Sequence, residues 1–180
     1  MEIFNQSPAV NIEQVLANRD RRVKLQASFL TDGYPTVIAI KLNIPGPVKN
    51  GPTIRQYFEK VNRQFEMVLK AQGWPYKLAL MDLGSVTGPE SFYQLHADPK
   101  AAKKLTSQFE EDSADHRLLD MDVIYQEGSQ TRSISRADLN LPARTCLICG
   151  RLAKDCGRSR RHTVAELQAK VAELIEGALQ

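Results

Sequence analysis

The sequence predicts an α+β domain, or a mixed α/β one, in which a mixed sheet is flanked by helices. Two observations carry that expectation. Segments with apolar residues at helical spacing alternate along the chain with short β-branched or alternating runs. Hydrophobic residues make up 42% of the 180 residues and charged residues 25%, enough apolar surface for a core and too much for disorder. One domain is expected over residues 1–180, with a basic Cys/His-containing subsegment at 144–162. No run approaches the ~18–20 apolar residues that cross a bilayer. Glu2, Asn5, Gln6, Asn11 and Glu13 also interrupt any export signal, so a cytoplasmic location is expected. In that reducing compartment metal ligation or free thiols outrank a disulfide for the three cysteines.

Each element has its own signal. Asn11 is an N-cap for a helix over residues 12 to about 30, with Ile12, Val15, Leu16, Val23 and Leu30 near helical spacing. Asn18-Arg19-Asp20-Arg21-Arg22 lies within it and reads as a salt-bridged surface. Residues 35–42 form a strand apolar on both faces, hence central in a sheet. The loop Pro45-Gly46-Pro47-Val48-Lys49-Asn50-Gly51 leads to Pro52, which opens a second helix that Gly73 ends. Its stripe Ile54, Tyr57, Phe58, Val61, Phe65, Val68 and Leu69 is core. Strands follow at 76–82 and 91–96, separated by a loop that holds Gly84-Ser85 and Thr87-Gly88-Pro89-Glu90. Asp98-Pro99 starts a helix to about Phe109, and strands at 118–125 and 130–135 form a hairpin through Glu127-Gly128. Thr163 and Glu166 make a capping box for a last helix presenting Val164, Leu167, Val171, Leu174 and Ala178.

The net charge of +3 does not by itself imply a nucleic-acid partner, but its distribution is uneven. Residues 144–162 carry Arg144, Arg151, Lys154, Arg158, Arg160 and Arg161 against Asp155 alone. Residues 109–122 carry Glu110, Glu111, Asp112, Asp115, Asp120 and Asp122 against Arg117 alone. An anionic ligand bound with a divalent cation would use both, and two solvated faces of opposite sign would look the same. On a strand Asp120 and Asp122 share one face, roughly 6.5–7 Å apart at the backbone, while Leu119, Met121, Val123 and Tyr125 take the other. Adjacent carboxylates of this kind suit Mg²⁺ and displacement at phosphorus; the alternative is an exposed edge strand. Cys146, Cys149, Cys156 and His162 have the composition of a tetrahedral zinc set, and free thiols are the other reading. No P-loop motif occurs.

Read in order, Asn18-Arg19-Asp20-Arg21-Arg22, Pro45-Gly46-Pro47-Val48-Lys49, Thr87-Gly88-Pro89-Glu90, Arg117-Leu118-Leu119-Asp120-Met121-Asp122-Val123, Ser135-Arg136 and Pro142-x-Arg144-x-Cys146-Leu147-x-Cys149 with Cys156 and His162 resemble a known family. It is that of the apo-citrate lyase phosphoribosyl-dephospho-CoA transferases, or holo-citrate lyase synthases. One departure is that His116 stands where the family usually has a glycine, and Ser113 where it often has a histidine. The resemblance implies transfer of a prosthetic group from 2′-(5″-triphosphoribosyl)-3′-dephospho-CoA to a serine of the citrate lyase acyl carrier subunit, with pyrophosphate leaving.

On that basis Asp120 and Asp122 are expected to hold Mg²⁺, with Arg117 beside them in catalysis. Arg136, Arg144, Arg19 and Lys49 are expected to bind the donor. Glu110, Glu127 and Asp138 are unranked candidates for a third carboxylate. Arg158, Arg160 and Arg161 offer a docking patch for an acidic carrier; neither a nucleic acid nor a membrane is expected as partner. Kinship to nucleotidyltransferases at large is by analogy only, since Gly84-Ser85 lies far upstream of the Asp pair. A zinc-stabilised basic binding module and a metal-dependent phosphodiesterase are the competing functions.

Overall fold

Five strands pair in the order β2-β3-β1-β4-β5, and every neighbouring pair is antiparallel. They are β1 (Thr36–Leu42), β2 (Tyr76–Asp82), β3 (Glu90–Leu95), β4 (Leu119–Glu127) and β5 (Gln130–Ile134). The helices are α1 (Ile12–Ser28), α2 (Pro52–Gln72), α3 (Pro99–Phe109), α4 (Ala153–Ser159) and α5 (Val164–Leu179). These elements come from a computed structural model, which describes residues 2–5 and 7–180.

The architecture is α+β, and the expectation of a mixed sheet is corrected. Helix α2 joins β1 to β2, and α3 joins β3 to β4, as the helix–strand alternation suggests. Each helix nevertheless links strands that are not neighbours: β3 lies between β1 and β2, and β1 lies between β3 and β4. The parallel partners are therefore separated, and every ladder is antiparallel. From β1 to β4 this is the split β-α-β-β-α-β arrangement of ferredoxin-like folds, with β5 added by a hairpin.

The two sheet faces are covered unequally. On one, Ile38, Ile40, Tyr93, Leu95, Met121 and Val123 pack with α2 and with Val171, Ala172 and Ile175 of α5 in the main core. The predicted α2 stripe packs there, buried except for the half-buried Val68; the helix is begun by Pro52 and closed by Gly73 at φ +69°. On the other face a small cluster joins Val37, Ala39, Phe92 and Ile124 to Leu30, with Leu25 and Phe29 of the α1 end packed against it. That helix covers only part of its face, and the polar residues beyond it stay accessible.

Helix α1 also corrects a sequence expectation. Ile12, Val15, Leu16 and Val23 are exposed, and Arg22 is the buried residue of the helix. The line that meets the sheet is Arg22, Leu25 and Phe29, turned about 100° from the apolar stripe. Arg21 is exposed and ion-paired, as a salt-bridged surface requires, whereas Arg22 is buried; both reach carboxylates on the sheet.

Strand β4 is not an edge strand, since β1 and β5 flank it. Its first residues nevertheless run past the end of β5, whose pairing stops at Val123–Ile134. Backbone groups pointing away from β1 are there satisfied by side chains. Glu110 accepts from the Met121 N–H (2.9 Å), Lys103 donates to the Met121 carbonyl (2.9 Å), and Arg144 donates to the Leu119 carbonyl (2.7 Å). A 3-10 turn at His116–Leu118, which the sequence reading assigns partly to the strand, leads into β4.

Candidate active site and Cys/His cluster

Register aligns one polar row across the sheet. Asp82 on β2 pairs with Glu90 on β3, Glu90 with Lys41 on β1, and Lys41 with Asp120 on β4. The next row is Leu80, Phe92, Ala39 and Asp122. Alternation places both rows on the α1 face, so Asp120 and Asp122 share a face, as expected from their spacing. Both are partly accessible, with side-chain exposures of 37% and 45%. The row lies where β1 and β2 end and β3 and β4 begin. The loop that carries Gly84-Ser85, remote in sequence from Asp120, starts at this end of the sheet, and Asp82 Oδ1 accepts from both their backbone N–H groups.

Four cations face these four carboxylates. Lys41 Nζ lies 3.0 Å from Asp120, and Arg144 Nη1 lies 3.8 Å from it. Arg22 donates to Glu90 at 2.8 Å, and its other terminal nitrogen stands 3.7 Å from Asp122. Arg21 bonds Glu90 and, at 2.9 Å, Asp82. Glu90 is 1% exposed and Arg22 7%, so their charges sit where water screens little. Arg22 Nη2 is buried and donates no hydrogen bond within the described residues. A buried guanidinium nitrogen left in that state is suited to an incoming anion.

The other expected residues divide between this cleft and its surroundings. Arg144 reaches the cleft. Arg117 instead holds the following loop, donating to the Thr145 carbonyl and hydroxyl at 2.8 Å. It also lines, with Arg144, a cavity of about 540 Å³ that runs to Arg160 and Leu167. Arg136 is drawn to Glu110 and Glu111. Lys49 donates to the Ile44 carbonyl, and burial lowers its pKa. Arg19 is exposed on α1.

Of the carboxylates considered as a third ligand, Glu110 is buried against Arg136 and the β4 backbone. Glu127 pairs with Arg132 at the far end of β4, and Asp138 caps Ser135, whose backbone and hydroxyl bonds lower its pKa. The other carboxylates in the row of Asp120 are Glu90 and Asp82. Sequence reasoning noticed Glu90 and Arg22 inside motifs but gave neither a role, because their neighbours depend on strand register. His116 is buried, bonds the Phe109 carbonyl at 3.0 Å and packs on the Phe109 ring, so it fills core space.

Beyond β5 the donor atoms of Cys146, Cys149, Cys156 and His162 lie within 4.8 Å of one another, a grouping able to hold a metal ion. Helix α4, which the sequence reading leaves unassigned, supplies Cys156. His162, then the Arg151 backbone and Cys156, bring the Cys149 thiol down to about 6. Cys149 in turn holds Cys156 up at about 11.

Fold and site together define an α+β protein with an acidic pair and arginines on a half-open sheet face, and a separate Cys/His cluster. The sequence matches the family described as apo-citrate lyase phosphoribosyl-dephospho-CoA transferase over residues 10–178. The apo-citrate lyase phosphoribosyl-dephospho-CoA transferase of Citrobacter koseri is 31% identical over 170 residues, 94% of this chain and 91% of that protein. Protein CitXG of Leuconostoc mesenteroides subsp. cremoris is 31% identical over 177 residues, 97% of this chain and 37% of the longer relative. The chain belongs to the apo-citrate lyase phosphoribosyl-dephospho-CoA transferase family, a family of transferases.

Proposed function

We propose that this chain moves the phosphoribosyl-dephospho-CoA group from 2′-(5″-triphosphoribosyl)-3′-dephospho-CoA to a serine hydroxyl of the citrate lyase acyl carrier subunit. The reaction is nucleotidyltransferase-type: a serine O–P bond forms, the bond to pyrophosphate breaks, and the hydroxyl proton is lost. The observation that supports it is the accessible Asp120/Asp122 pair with Arg22 and Arg144 within 3.7–3.8 Å of its oxygens.

Asp120 and Asp122 would hold Mg²⁺, for which their hard oxygens are suited. When bound, the ion would neutralise charge on the phosphates. Four carboxylates already face four cations here, so the cleft has little excess charge to attract a divalent ion alone. A polyphosphate changes that balance: its oxygens would replace the aspartates opposite Arg22 Nη2 and Arg144 Nη1, which frees the carboxylates. Arg144 is held by the Arg117 and Leu119 carbonyls, both at 2.7 Å, so its guanidinium is oriented before the donor arrives. The cavity of about 540 Å³ beside it has room for a further part of the donor.

Exposed Arg158 and Arg161 offer a docking face to an acidic carrier. The setting is the cytoplasm; no helix among the described residues is long and apolar enough to cross a membrane.

Intact-mass analysis of the carrier, after incubation with donor, Mg²⁺ and this chain, tests the proposal. The carrier gains the full prosthetic-group mass, and Asp120→Asn cuts the rate about 10²–10³-fold, the equivalent of ~3–4 kcal/mol of lost charge stabilisation. Because Asp120 is partly exposed and its pair with Lys41 lies near the surface, the replacement alters the melting temperature little. An unmodified carrier would refute the reading, and donor hydrolysis without carrier modification would favour a phosphodiesterase.

A further inference from the structure

We propose that Cys146, Cys149, Cys156 and His162 hold one zinc ion in a closed site with four protein ligands, and that this ion pins the arginine-bearing loop to the sheet. The set is of the right size. Its donor atoms lie within 4.8 Å of one another, and tetrahedral zinc with bonds of ~2.0–2.3 Å spaces its ligands about 3.5–3.8 Å apart. Cys149 and Cys156 have their sulfurs 3.4 Å apart, a ligand-to-ligand separation far beyond an S–S bond of ~2.05 Å. All three thiols are free.

The backbone is already folded around this centre. The Cys146 N–H donates to the Arg151 carbonyl at 2.6 Å, and Thr145 bridges to Leu152, closing a short hairpin. Inside it the Ile148 N–H points at Cys146 Sγ from 3.5 Å, and Gly150 turns the chain at φ +69°. A side chain is strained at that angle, which explains glycine immediately after the second cysteine. Helix α4 then brings Cys156, and the turn before α5 brings His162. His162 Nε2 is buried and has no hydrogen-bond partner among the described residues. A ring nitrogen shut off from water calls for a partner, and the imidazole has a ligand atom within 4.8 Å of all three sulfurs.

Charge agrees. Three thiolates, a neutral imidazole and Zn²⁺ sum to −1, and Arg151, Arg158, Arg160 and Arg161 lie within the same short segment. Four protein ligands leave no position for water, so the ion is structural. Its mechanical role follows from Arg117, which grips the Thr145 carbonyl and hydroxyl, and from Arg144, which grips the Arg117 and Leu119 carbonyls. The hairpin is thereby fastened one residue from Asp120.

This inference does not rest on the transfer reaction, and its test reads metal. The full chain, purified from zinc-supplemented medium with any tag removed, should contain about one zinc per chain by elemental analysis. Cobalt exchanged into it should show sulfur-to-cobalt charge transfer and tetrahedral d–d bands, unaltered by pyrophosphate. Cys149→Ser and His162→Ala should lose zinc, whereas Asp120→Asn should keep it whether or not it transfers the group. Should those variants unfold, zinc release from the wild-type chain by a chelator should run in step with the reactivity of the three thiols. Folded protein with far less than one zinc per chain, a six-coordinate cobalt spectrum, or thiols that react while zinc stays bound would overturn the assignment.

Discussion

Replacing Glu90 with Gln tests whether the contact between α1 and the sheet is as dry as it looks. Glu90 is 1% exposed and Arg22 7%, and the two are joined at 2.8 Å. Removing one partner of such a pair leaves the other charge buried, which costs ~3–5 kcal/mol. Two features set the expectation at the low end of that range, about 3 kcal/mol. Asp122, 3.7 Å from Arg22, retains part of the attraction, and Arg21 can turn to solvent or to Asp82. For a chain of this size ~1 kcal/mol moves the melting temperature about 2–4 °C, so a fall of roughly 6–12 °C is expected. Urea unfolding should show the same loss as a shift in midpoint at constant slope. The double replacement Arg22→Met with Glu90→Leu should recover most of it, because it removes both charges rather than orphaning one. A Glu90→Gln loss below ~1 kcal/mol, or a double variant as unstable as the two singles summed, would refute the argument that this pair is desolvated.

Two further outcomes follow from the charges on the C-terminal segment. The Thr163 backbone N–H, then its hydroxyl, hold the Glu166 pKa below 4.5. A depressed carboxylate contributes stability that is present above its unfolded value and lost as pH falls through the folded one. Urea melts of Glu166→Gln and wild type should therefore differ at pH 7 and converge in acid, as the pH falls through the depressed folded-state pKa; a gap unchanged in acid would contradict the charged cap. Reversing Arg158 and Arg161 to Glu should raise the KM for the carrier roughly tenfold at low salt, and about 0.5 M salt should shrink the difference. No rise at low salt would remove these arginines from carrier docking.

What the sequence determined by itself was local. Pro52 and Gly73 bound α2, Asp98 caps α3, and Thr163 with Glu166 caps α5, because capping and helical spacing act over a few residues. The shared face of Asp120 and Asp122 follows from the two-residue period of a strand. The four donors of the Cys/His cluster lie within 17 residues of chain, so their spacing was legible as well. Only the tertiary structure decided what stands opposite them. Asp82, Glu90 and Lys41 join the Asp120 row through strand pairings whose register no local pattern states. Arg22, in a run that reads as salt-bridged surface, became the buried partner of Glu90 because α1 seats Leu25 and Phe29, rather than Ile12 and Leu16, against the sheet. The apolar count favours the other face of that helix. Burial of the arginine is possible because the sheet presents carboxylates to it, and the strands that carry them meet only once the chain has folded.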